Sequence, residues 1–187
     1  NEITVIRTRN KKIIDTADYV VDVGEIYDPS QKRFDHHQFG GAGVRDKGIP
    51  YASFGLVWKE YGEALCGSLE LADQIDQRLV QPVDAMDNGI SFMKSEREGL
   101  YMYDIRDITM SYRSTWAEEE GLLEENFIYL TNIFKKLLER EIKVLKDINA
   151  SKEAVEKIIA QNNNKTLLIL DKPYQFEEVA SMYDYIL

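Results

Sequence analysis

The alternation of apolar and polar positions along this chain changes period several times. Residues 3–6 (ITVI) and 18–24 (DYVVDVG) are rich in β-branched side chains, and Val20, Val21 and Val23 give the second run the near-continuous apolar character of a buried parallel strand. Gly24 ends that run. Ile26, Tyr27 and Phe34 flank an Asp-Pro-Ser turn signal, which predicts a hairpin excursion leading into Asp35, His36 and His37. After the glycine-rich stretch FGGAGVRDKGIP, the three- and four-residue spacing of Phe54, Val57, Trp58 and Tyr61 predicts a helix over 51–62, with Pro50 at its first turn. Two further helices are predicted over 69–79 and 84–93, separated by Pro82. The tyrosine-rich residues 99–112 carry no clear period. From 122 to 149 the apolar residues Leu123, Phe127, Leu130, Phe134, Leu137, Leu138, Ile142 and Leu145 recur at helical spacing, predicting one long amphipathic helix. Residues 152–161 predict another helix, and TLLIL at 166–170 a buried strand. Strands alternating with helices imply an α/β domain with a mainly parallel sheet flanked by helices.

Composition narrows the classes. The 187 residues are 44% hydrophobic and 30% charged, the balance of a soluble globular domain, and no apolar run approaches the roughly 18 residues that a spanning helix needs. No membrane partner is expected. The formal net charge of −10 argues against a general nucleic-acid coat protein, whose affinity for phosphate rests on Lys/Arg clusters. It leaves room for an enzyme acting on phosphate esters through bound cations. The single cysteine, Cys66, excludes an internal disulfide framework and, with no secretory leader in view, points to a reducing, intracellular and cytoplasmic setting. The chain also starts without methionine and reads as a fragment of a longer protein.

The two histidines of the chain, His36 and His37, are adjacent and follow Asp35. Asp22 lies near the carboxyl end of an apolar strand, where open α/β sheets bind ligands. It can cap a local turn or hold a cation, since a buried carboxylate needs a partner. On a regular strand neighbouring histidines face opposite ways, so one is expected to ligate a metal and the other to meet substrate. In VDAMDNG, Asp84 and Asp87 are three residues apart and share one helix face, either answering the helix dipole or supplying ligands. Oxygen-rich ligation with imidazole suits Mn²⁺ or Mg²⁺ better than a thiolate zinc site.

VVDVGEIYDPSQKRFDHHQ, GIPYASFGLVWKEYG, PVDAMDNGI and LLILDK, in that order and over essentially the whole chain, resemble the melanocyte-proliferating-gene family, a branch of the DHH phosphoesterase superfamily. The resemblance implies a DHH-type Rossmann-like domain with two Mn²⁺ or Mg²⁺ ions, and metal-dependent phosphodiester hydrolysis, with family members acting as 3′ to 5′ exonucleases on RNA. By that resemblance Asp22 bridges the metals, His36 is a ligand, His37 faces the substrate phosphate and Asp35 orients His36. Asp84 or Asp87 supplies the last carboxylate. The family's first metal motif is expected upstream of Ile3 and its C-terminal region beyond Leu187. Residues 1–120 then form the metal-binding domain, and residues 121–187 a long connecting helix with the start of the C-terminal region.

Arg45 or Lys47 from the glycine-rich loop is expected to steady phosphate oxygens in the transition state, and the turn at Tyr51, Ala52 and Ser53 offers amides to an anion. Gly40 to Gly43 reads either as a mobile connection or as a phosphate loop. Tyr101, Tyr103, Tyr112 and Trp116 are read either as packing residues or as base-stacking groups. The stripe of the long helix fits intramolecular packing or a homodimer face. Three readings stand: an exonuclease on RNA or short oligonucleotides, a small-molecule phosphatase or pyrophosphatase, and a non-catalytic scaffold.

Overall fold

A computed structural model describes residues 4–92, 95–118, 122–164 and 166–175. The chain divides into two compact units, residues 1–136 and 137–187. The first unit mixes a small sheet with helices. After helix α1 (Lys11–Ile14) come strands β1 (Val20–Val21), β2 (Tyr27–Asp28) and β3 (Arg33–Phe34), with a 3₁₀ turn, Pro29–Gln31, between the last two. The sheet order is β1-β3-β2. β1 runs parallel to β3, with Val20 opposite Arg33 and Val21 opposite Phe34, whereas β2 is antiparallel to β3. The expected hairpin is therefore present. Asp28 caps its turn, accepting hydrogen bonds from the Ser30 and Gln31 amides, and Lys32 takes the left-handed conformation that closes it, at φ 56°.

Side chains on β3 alternate, so Phe34 and Arg33 face opposite sides of the sheet. Phe34 is fully buried and meets Tyr61 of helix α2 (Ser53–Cys66) edge to face at 5.8 Å. Helix α3 (Leu69–Ile75) packs on α2, and the Trp58 indole donates to the Ala72 carbonyl at 3.1 Å. Leu56, Ile75 and Val80 are fully buried and Trp58, Cys66, Leu71 and Ala72 nearly so, which makes this helical layer the core that holds the sheet.

Several predicted elements come out differently. Residues 4–6 are not in a strand. β1 is shorter than the 18–24 run, because Asp22 enters the left-handed region at φ 64°, and Val21, on an edge strand, is 47% exposed. The sheet is not mainly parallel: it has one parallel and one antiparallel pair. Pro82 does not separate two helices. A π-helical turn, Asp76–Val80, joins α3 directly to helix α4 (Gln81–Asp87), placing Pro82 in the first turn of α4. Among residues 99–112, helix α5 (Ile105–Ser111) starts at a capping box between Asp104 and Asp107. The predicted helices at 122–149 and 152–161 are one 40-residue helix, α6 (Leu122–Gln161), since no residue between them breaks the turn. In the second unit, only Leu167 of residues 166–170 lies in a β-bridge among the described residues. Leu168, Leu170 and Tyr174 instead pack on Val155 and Ile159 of α6, leaving Ile169 exposed.

Candidate metal centre

Because β1 and β3 are parallel, their carboxyl ends lie side by side, and the chain leaves each of them on an acidic residue. The Asp22 amide donates to the Phe34 carbonyl at 3.1 Å, continuing the β1–β3 ladder by one bond. The left-handed turns at Asp22, Gly24 and Glu25 fold the chain back, so that the Glu25 amide reaches the Asp35 carboxylate at 2.7 Å.

Asp35 is buried, with 1% exposure. One of its oxygens accepts from the Glu25 amide; the other accepts from the amides of His36 and His37 at 2.8 and 3.2 Å and lies 2.6 Å from His37 Nδ1. Burial pushes its carboxyl up, but the His37 ring and these three amides outweigh that and hold it below the ordinary aspartate value. The same hydrogen bond with Asp35 raises the His37 pKa against a smaller opposing effect of burial, and the negative charges of Asp35, Asp22 and Asp87 add to the rise. With Nδ1 tied to Asp35, His37 presents its other nitrogen outward from a ring that is 56% exposed.

His36 is the buried member of the pair. Its side chain is 8% exposed, and Nε2 lies 3.1 Å from an Asp87 oxygen and 3.5 Å from an Asp22 oxygen. That nitrogen is buried and, despite the nearby carboxylates, makes no aligned hydrogen bond among the described residues, a costly state for an imidazole. Asp22 is fixed from its other side, its Oδ1 accepting from the Ser53 hydroxyl at 3.0 Å. Ligand atoms of Asp22, Asp35, His36 and His37 all lie within 4.8 Å of one another. Asp35 is already saturated by donors, so the groups best able to hold a cation are the His36 nitrogen with the half-exposed carboxylates of Asp22 and Asp87. Imidazole and carboxylate donors fit a divalent cation, and an ion here would give the orphaned nitrogen its partner.

Asp84 and Asp87, equivalent by spacing, are used differently. Asp84 is fully buried. Its Oδ2 takes the Arg45 guanidinium at 2.6 Å and its Oδ1 the Gly55 amide at 3.0 Å. Burial pushes the Asp84 carboxyl up, opposed by Arg45 and by the amides of Gly55 and Ala52. Arg45 also donates to Asp76 at 2.9 Å and stacks over Tyr51. Burial of Arg45 works against its charge, but the two carboxylates raise its pKa further. The guanidinium anchors the glycine-rich loop to α4 and the π-helical turn, and its side chain is only 7% exposed. The loop is itself ordered by an antiparallel bridge between Val44 and Pro50 and by Tyr51 N–H donating to the Gly43 carbonyl. Of the aromatic residues considered for base stacking, Tyr101, Tyr103 and Trp116 are exposed, while Tyr112 lies against Tyr129, ring centres 5.5 Å apart.

The Ser53 hydroxyl and Asp76 escaped the sequence reading, which considered Ser53 only for its backbone amide. A serine just after Pro50-Tyr51-Ala52 signals only a helix start, yet its hydroxyl turns to Asp22. Asp76, in the mixed helical stretch DQIDQR, has no local feature that announces a partner 31 residues away.

Compared with known proteins, residues 1–184 match the sequence profile MYG1_exonuc, described as an uncharacterised protein family (UPF0160). The chain is 30% identical over 176 residues to the MYG1 protein of Chlamydia muridarum, covering 93% of this chain and 55% of that protein. It is 28% identical to a MYG1 protein of Caenorhabditis elegans, covering 78% of this chain and 48% of that one. To the human protein named MYG1 exonuclease it is 34% identical, over 46% of this chain and 28% of that protein. The chain thus spans about half or less of the length of these relatives. No solved structure matches it.

Proposed function

The chain belongs to the UPF0160 family of MYG1 proteins, and on that premise we propose that it carries a metal-dependent phosphodiesterase centre of an exonuclease, with single-stranded RNA or short oligonucleotides as substrate. The name of the human relative, MYG1 exonuclease, supports nuclease action at the family level. The observation that carries the reading to this site is the buried, unpartnered Nε2 of His36, facing the carboxylates of Asp22 and Asp87.

Asp22, His36 and Asp87 would hold the divalent ions, Mn²⁺ or Mg²⁺, two of them being expected from the resemblance to the DHH superfamily. Such ions supply Lewis-acid chemistry: activation of water and neutralisation of charge on a phosphodiester. Ser53 fixes the Asp22 carboxylate. Asp35 accepts from the ring and amide of His37 and from the His36 amide, setting where both imidazoles point. His37, whose pKa the hydrogen bond with Asp35 raises, offers a donor to a nonbridging phosphate oxygen as negative charge builds there. Asp84 and Arg45 form the internal ion pair that positions α4, and with it Asp87; Arg45 acts through that pair rather than on substrate.

Two measurements on the full-length protein test this. Mn²⁺ is expected to raise the melting temperature, and the rise should vanish in His36→Ala. Release of mononucleotides from a labelled oligonucleotide should require Mn²⁺ or Mg²⁺ and be lost in the same variant. Cleavage of pyrophosphate with no action on oligonucleotides would replace the reading by a small-molecule phosphatase. Failure to bind Mn²⁺ would leave the scaffold reading.

A further inference from the structure

Against the candidate centre, on the sheet face opposite Phe34 and α2, lies a cavity of about 450 Å³, a volume within the range of small-molecule sites. The register explains it. Phe34 turns into the helical core, so its neighbour Arg33 faces the other way, beside Val20, its partner across the parallel pair. Helix α1 and the residue before its cap form one wall with Arg9, Lys11, Ile14 and Asp15, and the turn after β1 forms another with Val23, Gly24, Glu25 and Ile26. Asp22, Asp35 and His37 belong to both this cavity and the centre, so a molecule filling it touches the reacting end.

The lining has two characters. Ile14, Val20, Val23 and Ile26 are apolar. Arg9, Lys11 and Arg33 supply positive charge. Of the acidic groups, Asp15 is paired with Lys11 at 2.8 Å, and Asp22 and Asp35 are engaged in the centre. Glu25 remains exposed at the edge. The two arginines are thus the cations open to a ligand, and guanidinium is the group best shaped for a phosphate. We propose that this cavity is the subsite for the terminal nucleotide of the substrate strand, its apolar surface taking the nucleoside and Arg9 and Arg33 its phosphate. This rests on the phosphodiesterase reading above and adds to it a place for the terminal nucleotide: a recess of this size beside the scissile position has room for one nucleotide.

Arg9 and Arg33 bind the substrate in this account, so their removal should act on KM. For a labelled single-stranded oligonucleotide, Arg9→Gln and Arg33→Gln are each expected to raise KM about tenfold, the order of one lost charge-assisted hydrogen bond, with kcat within about twofold. Arg33→Lys should recover part of the loss. No effect of either substitution on KM would overturn the subsite while leaving the phosphodiesterase standing. Binding of adenosine 5′-monophosphate, followed by NMR with no metal added, provides an arm independent of activity. It should exceed that of inorganic phosphate and weaken in Arg9→Gln, whose exposed side chain places no burden on folding. Equal binding of the two ligands would overturn the subsite whether or not the protein cleaves phosphodiesters; absence of hydrolysis with selective nucleotide binding would overturn only the enzyme reading.

Discussion

Gly55→Ala is expected to destabilise the protein, although Gly to Ala inside a helix ordinarily stabilises by about 1 kcal/mol. Gly55 lies in α2, where a Cβ would fall 1.8 Å from Asp84 Oδ2 and 2.7 Å from an Arg45 nitrogen. Real Cβ contacts do not fall below 3.0 Å, so the carboxylate must retreat by at least 1.2 Å, from 1.8 to 3.0 Å. It has nowhere to go without loss. Asp84 is fully buried, and its oxygens hold Arg45 and the Gly55 amide. Separating a buried pair so that one charge loses its partner costs about 3–5 kcal/mol. Less the helix gain, the net loss is about 2–4 kcal/mol. For a chain of this size each kcal/mol lowers Tm by roughly 2–4 °C, so circular-dichroism melting should show a drop of roughly 5–15 °C. The same substitution in an Asp84→Ala background has no carboxylate to displace and should be neutral or stabilising. A Gly55→Ala protein with unchanged or higher Tm would refute the close-approach argument, and an equal loss in both backgrounds would show that Asp84 is not its cause.

Asp87→Asn should leave the metal-free Tm nearly unchanged, since the side chain is half exposed, but remove the rise produced by Mn²⁺, which at a hundredfold excess over Kd is worth about 2.7 kcal/mol. Asp84→Asn should do the reverse, lowering the metal-free Tm while keeping an Mn²⁺-dependent rise; differential scanning fluorimetry distinguishes the two. Ser53→Ala removes the hydroxyl that holds Asp22 and should weaken Mn²⁺ binding about 10- to 100-fold, measured by isothermal titration calorimetry, with a stability loss of only about 1 kcal/mol. Trp58→Phe deletes the indole N–H bonded to the Ala72 carbonyl and should cost about 1 kcal/mol in urea denaturation; no loss would mean that α2 and α3 are held by packing alone.

Much of the fold was legible because its signals are local. A turn with Asp-Pro-Ser between apolar runs predicts the hairpin that the structure contains, and the three- and four-residue periodicity of Phe54 to Tyr61 predicts α2. The misreadings have one cause, which is that neighbours override local preference. Pro82 reads as a break, but a π-helical turn ahead of it lets the helix run on. TLLIL reads as a buried strand, whereas in the second unit only Leu167 is in a β-bridge among the described residues, with Leu168 and Leu170 packed on Val155 and Ile159 of α6. The run at 18–24 stops early because Asp22 takes a left-handed turn.

For the candidate site, sequence alone determined the inventory: an aspartate after a β-branched run, an Asp-His-His triplet and two aspartates on one helix face. Each is a short-range pattern, so each is visible in one dimension. What only the tertiary structure decided is which of those groups still has an oxygen or nitrogen to offer. Asp84 and Asp87 are interchangeable by spacing, and Arg45 is as basic as Lys47 on paper. Their roles part because Arg45, 39 residues before Asp84, and Gly55, bare of a Cβ, close around Asp84 and leave Asp87 beside His36. The capacity of a carboxylate to hold a cation depends on the donors already around it, and those donors come from distant parts of the chain that only folding brings together.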